Sequence, residues 1–243
     1  MYQKNKDKYI IDLFSGCGGF AEGFEKSGYK SYLAADFDFW SCETFKNRFK
    51  NTHVINEDIT TKKFKKILKS KMNGTPIEGV VAGLPCQSFS SVGRAQDKFS
   101  MRKDKRNYFY KDFFECLKII KPKFYVFENV RGILSAKPNG TKIFDDILNL
   151  SKKLGYVTLD NTSQMVFDTS EYGVPQVRKR VFVIGVLKQY SYIIPKIYDE
   201  LINKSKEKKI FTVKDAIADL PFLKPGEGEE KLKFKNSSKN NYL

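Results

Sequence analysis

Short apolar runs alternate with helix-patterned stretches through the first two-thirds of the chain, and few folds accommodate that order. "YIIDLF" (9–14) leads into the glycine-rich "SGCGG" and then "FAEGFEKSG", where Phe20 and Phe24 lie one turn apart and Gly28 stands at a helix stop. Further strand-like runs fall at 31–37, 53–59, 79–84, 124–130 and 180–186, with helical patterns at 41–49, 62–71, 108–120 and 142–154. Nearly continuous apolar strands separated by helices predict an α/β protein with a doubly wound, mostly parallel sheet covered on both faces. Such sheets bind ligands at the carboxyl ends of their strands. The unusual polar residues collect there: Ser15–Gly19, Asp36, Asp58, Pro85–Cys86 and Glu128–Asn129.

Composition narrows the class. The 243 residues suffice for one sizeable core, expected over 1–190. Residues 191–243, polar and punctuated by Gly and Pro, read as a C-terminal extension or linker. No apolar run approaches the roughly 20 residues of a membrane helix, so a cytosolic protein is expected. Four cysteines without a C-x-x-C pair, and a single histidine, predict neither a structural zinc nor a disulfide framework. The net charge of +16 suits a polyanionic partner, most simply nucleic acid. However, only seven of the 44 basic residues are Arg, and a Lys-rich composition also follows from an AT-rich genome. Charge alone does not choose between the two.

Two constellations carry chemistry. In "DLFSGCGGF", glycines between a strand and its helix let a ligand approach the backbone, and the helix N-terminus offers unpaired N–H groups. Asp36, 20 residues after Gly16, is placed to bind a ribose diol, and Asp58 to meet an adenine amino group. The pattern G-x-G-G, rather than G-x-G-x-x-G, favours a nucleoside cofactor without pyrophosphate, such as S-adenosylmethionine; the bland alternative is a tight strand–helix turn. The second constellation is Cys86 with Glu128, 42 positions apart but just beyond neighbouring strand ends. "PCQSFSS" is a polar loop, unsuited to a buried filler cysteine, and a thiol becomes nucleophilic as a thiolate beside cationic groups. Arg178 and Arg180 stand where they could supply that charge. Cys42 and Cys116 lie in helical patterns and read as buried hydrophobes, while Cys17 belongs to the glycine loop through its backbone.

With these motifs in order, the chain resembles the DNA (cytosine-5)-methyltransferases of bacterial restriction–modification systems, over about residues 9 to 225. "DLFSGCGGF" is similar to their cofactor loop, "GLPCQSFSSVG" to their Pro-Cys loop, "FENV" to their Glu-Asn-Val motif and "YGVPQVRKRVFVIG" to their Gln-x-Arg-x-Arg motif. The resemblance implies a Rossmann-like S-adenosylmethionine-dependent fold, with S-adenosylhomocysteine as product. It makes Cys86 the nucleophile toward cytosine carbon 6, with Gln87 beside it, and has Glu128 hold or protonate ring nitrogen 3. Its Gln-x-Arg-x-Arg positions fall on Gln176, Arg178 and Arg180, with Arg180 at the cytosine carbonyl or the adduct. A loop from Ser88 to about Arg106 is expected to close over a flipped-out base, with Ser90 or Arg94 near the phosphates. For the cofactor it implies Phe14, Gly16, Cys17, Gly18 and Gly19 along the methionine and ribose, Asp36 on the diol and Phe37 stacked on adenine. Asp58 and Ile59 hold the adenine edge, and Pro85 and Phe109 pack nearby. Asp36 replaces the family's frequent glutamate, and Phe109 a commoner leucine.

Family members continue into a target-recognition region and a segment that completes the cofactor pocket, neither of which is recognisable here. A split enzyme, with a second polypeptide supplying both, is expected over a truncated single chain. Duplex DNA is the expected substrate. A tRNA cytosine-5-methyltransferase and a non-catalytic DNA-binding homologue are the rival readings, with the intact Cys86, Glu128 and Arg180 arguing against the latter.

Overall fold

The computed structural model describes residues 7–72, 74–85, 89, 104–138, 140–204, 206–207 and 209–229. Strands β1 (Lys8–Leu13), β2 (Tyr29–Asp36), β3 (His53–Asn56), β4 (Gly79–Gly83) and β5 (Phe124–Val130) are all parallel, in the spatial order β3-β2-β1-β4-β5. The last four residues of β1 and the first four of β4 are buried, as the centre of a sheet covered on both sides requires. Strand β8 (Lys179–Leu187) adds antiparallel to β5, and the short β6 (Tyr156–Thr158) and β7 (Val166–Asp168) both pair antiparallel with it.

Connecting helices divide between the two faces. Leu33 and Ala35 of β2 enter the main core with Phe64 and Leu68 of α3 (Lys62–Met72), Phe113 and Leu117 of α4 (Phe109–Ile120) and Phe144 and Ile147 of α5 (Ile143–Lys153). Ala34, between them, must point the opposite way. It packs with Ala21 of α1 (Gly19–Lys26), Phe45 of α2 (Phe39–Arg48) and Phe49. The doubly wound expectation therefore holds, with an antiparallel edge.

Three departures from the sequence reading have physical causes. The run 53–59 ends as a strand at Asn56, because Thr60 N–H turns back to Asp58 Oδ1 (2.9 Å) and Thr61 Oγ1 accepts from Phe64 N–H at the start of α3 (3.0 Å). Strands β6 and β7, three residues each, are too short to show periodicity. The core also continues past residue 190. In α6 (Ile194–Asp199) Ile194 and Tyr198 are buried, and the Tyr198 hydroxyl donates to Phe182 O (3.0 Å) while accepting from Ile184 N–H (3.3 Å). The linker expectation fails for this segment, whose apolar residues are anchored to β8. A further short helix, α7 (Val213–Ile217), is closed by a reciprocal Thr212–Asp215 capping box. Among the described residues no helix is long and apolar enough to cross a membrane.

Candidate active site

The glycine loop between β1 and α1 is shaped by positive φ angles at Gly16 (51°) and Gly18 (98°). A Cβ on Gly18 would lie 2.4 Å from the Phe49 ring and 3.0 Å from Phe45, whereas one on Gly16 would meet nothing within 4 Å. Gly18 is thus needed for packing, and Gly16 leaves open space above the loop. Asp36, at the end of β2, accepts hydrogen bonds from Gly16 N–H (2.8 Å) and Asp38 N–H (3.0 Å). Gly18 occupies the N-cap of α1 without a side chain to cap it. Asp12 of β1 substitutes: fully buried, it accepts from Ala21 N–H at 3.3 Å, and its other oxygen has no partner. Burial pushes the Asp12 carboxyl well above its usual range, against the downward pull of the Ala21 N–H and with a further upward push from Asp36.

Beside this loop lies a cavity of about 330 Å³ lined by Phe14, Phe37, Asp58, Ile59, Pro85, Arg106 and Phe109. Phe14 holds φ 56°, rare for a non-glycine residue, and its ring stacks on Phe109 at 5.8 Å and 18°. Phe37 is 73% exposed, offering a free aromatic face at the rim. Asp58 commits Oδ1 to Thr60 N–H. The five side chains expected at the adenine end or packed nearby, Phe37, Asp58, Ile59, Pro85 and Phe109, thus line one hollow together with Phe14, which was expected along the methionine and ribose, and the six come from five separate stretches of chain. Arg106 was not anticipated as part of it. Asp104, two residues earlier, caps the turn before α4 and grips the Arg106 guanidinium through both oxygens (2.7–3.0 Å). The Asp-x-Arg spacing at a helix entry was the available signal.

The second half of the site forms where β4, β5 and β8 meet. Parallel register sets Gly83 against Glu128, so the chain leaving β4 toward Pro85 passes beside that carboxylate. Asn129, fully buried, donates to Leu84 O (3.4 Å) and accepts from Val130 N–H (2.8 Å), tying β5 to the β4 exit. In the antiparallel β5–β8 ladder Val130 faces Arg180, so Glu128 and Arg180 are diagonal neighbours on one face; Arg180 Nε lies 2.6 Å from Glu128 Oε1. Burial raises the Glu128 carboxyl, and the opposing charges of Arg180 and Arg178 only partly offset it.

Gln176 and Arg178 are exposed on the approach to β8, where Gln176 O accepts from Thr169 Oγ1 (2.8 Å) and Arg178 N–H donates to Asp168 (3.1 Å). Cys17 is exposed on the loop, Gly19 opens α1, and Cys42 and Cys116 are buried as expected. Cys86, Gln87, Ser88, Ser90 and Arg94 lie outside the described residues.

Residues 9–242 match the model of the C-5 cytosine-specific DNA methylase family. The chain is 37% identical over 239 residues to the type II methyltransferase M.DdeI of Desulfomicrobium norvegicum, an alignment covering 96% of this chain and 53% of that one. It thus spans about half the length of this relative, and of several others. M.AquIA of Picosynechococcus differs: at 30% identity the alignment covers 90% of this chain and 91% of the relative. Among solved structures, a protein described as a prophage-encoded DNA modification methyltransferase from E. coli superposes with a TM-score of 0.67 at 30% identity, over 89% of this chain and 56% of that one. Spodoptera frugiperda DNMT2 shares the fold, with a TM-score of 0.55 at 18% identity over 85% of this chain and 55% of its own. The chain belongs to the C-5 cytosine-specific DNA methylase family.

Proposed function

We propose that this chain carries the catalytic half of an enzyme that methylates carbon 5 of cytosine in duplex DNA, through a covalent Cys86 adduct on a flipped-out base. The observation that carries the reading is the register that brings the Pro85 exit of β4 beside Glu128, itself paired with Arg180. Carbon 5 of cytosine is a poor nucleophile. The Cys86 thiolate adds to carbon 6, while Glu128 holds or donates a proton at ring nitrogen 3 and so takes up the charge driven into the ring. Burial of Glu128 supports that role by raising its proton affinity. Arg180 contacts the cytosine carbonyl or the adduct, and Arg178 adds positive charge that favours the thiolate. Once carbon 5 has gained the methyl group, loss of its proton to water and cleavage of the sulfur–carbon 6 bond free Cys86 as the thiolate. Gln87 sits beside the nucleophile, while Ser88, Ser90, Arg94 and Gln176 serve the DNA.

The residues present fit S-adenosylmethionine. The hollow of about 330 Å³ offers aromatic faces at Phe14, Phe37 and Phe109 for the adenine, with Asp58 and Ile59 on its edge and Pro85 packed beside it. The open space above Gly16 admits the ribose and methionine along Cys17, Gly18 and Gly19, and Asp36 accepts from the diol. When bound, this cofactor supplies an electrophilic methyl group. Residues 1–190, extended by the α6 segment, form the catalytic domain. Target recognition and completion of the pocket belong to protein outside these residues.

Transfer of a labelled methyl group from S-adenosylmethionine to unmethylated duplex DNA tests the reading, with tRNA offered in parallel. The chain is assayed alone and with extract of its source organism, against Cys86→Ser. Transfer to DNA that Cys86→Ser abolishes is the expected result. Transfer to tRNA alone, or none that depends on Cys86, would overturn it.

A further inference from the structure

The adenine end of the cavity is held by a side chain that does not touch it. Ile59 lies in the five-residue connection from β3 to α3, and its neighbour Asp58 lines the cavity. One turn into α3, Lys65 folds back so that Nζ donates to Ile59 O at 2.5 Å. The same Nζ reaches Asp112 Oδ1 on α4 at 3.3 Å. Asp112 is three residues after Phe109 and therefore on the same side of α4 as that cavity-lining ring. The Lys65 side chain is only 19% exposed, and the buried Cys116 thiol, pushed up to about 12 by burial, adds no competing negative charge. Other lysines on α3 lie on its exposed side, so this one inward amine is set apart by its partners.

We propose that Lys65 and Asp112 form a positioning clamp that fixes the Asp58–Ile59 edge against the Phe109 wall and so sets the affinity for the adenosine part of the cofactor. This rests on the cavity being the cofactor site. Without the amine, the Ile59 carbonyl loses its donor and the connection can shift away from α4, widening the hollow where adenine is gripped. Because the clamp acts at the adenine end, its loss penalises adenosine and S-adenosylhomocysteine by the same factor. A bond that merely fastened α3 to α4 would lower thermal stability and leave both affinities alone.

Calorimetric titration of the whole chain with S-adenosylhomocysteine and with adenosine decides this. Lys65→Met is expected to raise Kd about tenfold for both ligands, the loss of one charged hydrogen bond. Asp112→Asn shifts both in the same direction by roughly threefold, and Lys65→Arg, which keeps a donor, stays near the wild type. Lys65→Met affinities within twofold of wild type for both ligands would overturn the clamp, even with a lowered Tm. Should Lys65→Met fail to fold, Asp112→Asn decides alone, and unchanged affinities there refute the proposal. A wild-type chain that binds neither ligand, alone or with its source extract, brings down the cofactor reading itself, and the clamp falls with it.

Discussion

Gly16 and Gly18 sit two residues apart in one loop, both with positive φ, yet they should fail in different ways. An alanine at either position carries the left-handed penalty, roughly 1–2 kcal/mol. At Gly18 the added methyl also meets Phe49 at 2.4 Å and Phe45 at 3.0 Å. Those rings are themselves buried and packed at 4.5 Å, so neither can swing aside. Overpacking of this kind adds about 1–3 kcal/mol, for a total of roughly 2–5 kcal/mol in Gly18→Ala. For a chain of this size that lowers Tm by roughly 2–4 °C per kcal/mol. The Gly16 methyl meets nothing within 4 Å, so Gly16→Ala should lose only the backbone penalty. Its methyl instead projects into the space assigned to the cofactor, and the Kd for S-adenosylhomocysteine should rise at least about tenfold, the equivalent of 1.4 kcal/mol. Urea unfolding and calorimetric titration of both variants separate the effects. The reasoning is refuted if Gly18→Ala unfolds within about 1 kcal/mol of wild type, or if Gly16→Ala loses as much stability as Gly18→Ala while binding normally.

Asp12→Asn tests the buried cap. Burial lifts the Asp12 carboxyl, so its contribution to stability is complete below the ordinary aspartate value of 3.8 and is lost as pH rises through the lifted value. The variant, neutral throughout, should gain stability relative to wild type as pH rises, and a difference in urea midpoint that stays constant with pH would contradict this. Asn129→Ala removes the tie between β5 and Leu84 O, and should lower kcat/KM for DNA methylation by roughly 10–100-fold, a loss of about 1.4–2.7 kcal/mol in transition-state stabilisation. A wild-type rate would show that the β4 exit is positioned without it. Tyr198→Phe strips a donor from Phe182 O and an acceptor from Ile184 N–H, and should cost about 1–3 kcal/mol in urea unfolding. No change would return the segment after 190 to the status of a linker.

The sequence made the parallel half of the sheet legible because its strands are buried on both faces and read as unbroken apolar runs. Phe124–Val130 was read to the residue. Strand direction is another matter. Nothing in "RVFVIGV" distinguishes a strand that pairs antiparallel, since orientation depends on how the connection returns, and here the connection carries two three-residue strands. The 194–204 segment escaped notice because its buried residues, Ile194 and Tyr198, are spaced among lysines and acids within a single turn. In the site, motifs located the residues that line the hollow and those that meet at the ends of β4, β5 and β8. Of those that hold them, Asp12 and Lys65 belong to no spacing a reader could weigh, because each acts across elements, Asp12 from β1 to α1 and Lys65 from α3 to α4, whereas Arg106 was signalled only by the Asp-x-Arg spacing at its helix entry.

The two halves of the site also differ in what keeps them in shape. The proposed cofactor side is largely backbone: positive-φ glycines, N–H groups on Asp36 and an Asx turn at Asp58 hold it, with Asp12 and the Lys65–Asp112 pair behind them. The base side depends on Glu128 and Arg180, whose side chains are 19% and 15% exposed. Such a pair need not stabilise the fold, because desolvation of both groups opposes their attraction. Here desolvation prevails at Glu128, whose carboxyl is raised despite two arginines. Folding therefore favours its protonated form: that contribution is present below the ordinary glutamate value of 4.5 and is lost as pH rises through the raised value, so near neutrality the fold holds Glu128 against a cost. In the proposed reaction the same imbalance is useful. A group that readily accepts a proton can give one to ring nitrogen 3 as the thiolate attacks, while Arg180, already at 2.6 Å, keeps it aimed until the base arrives.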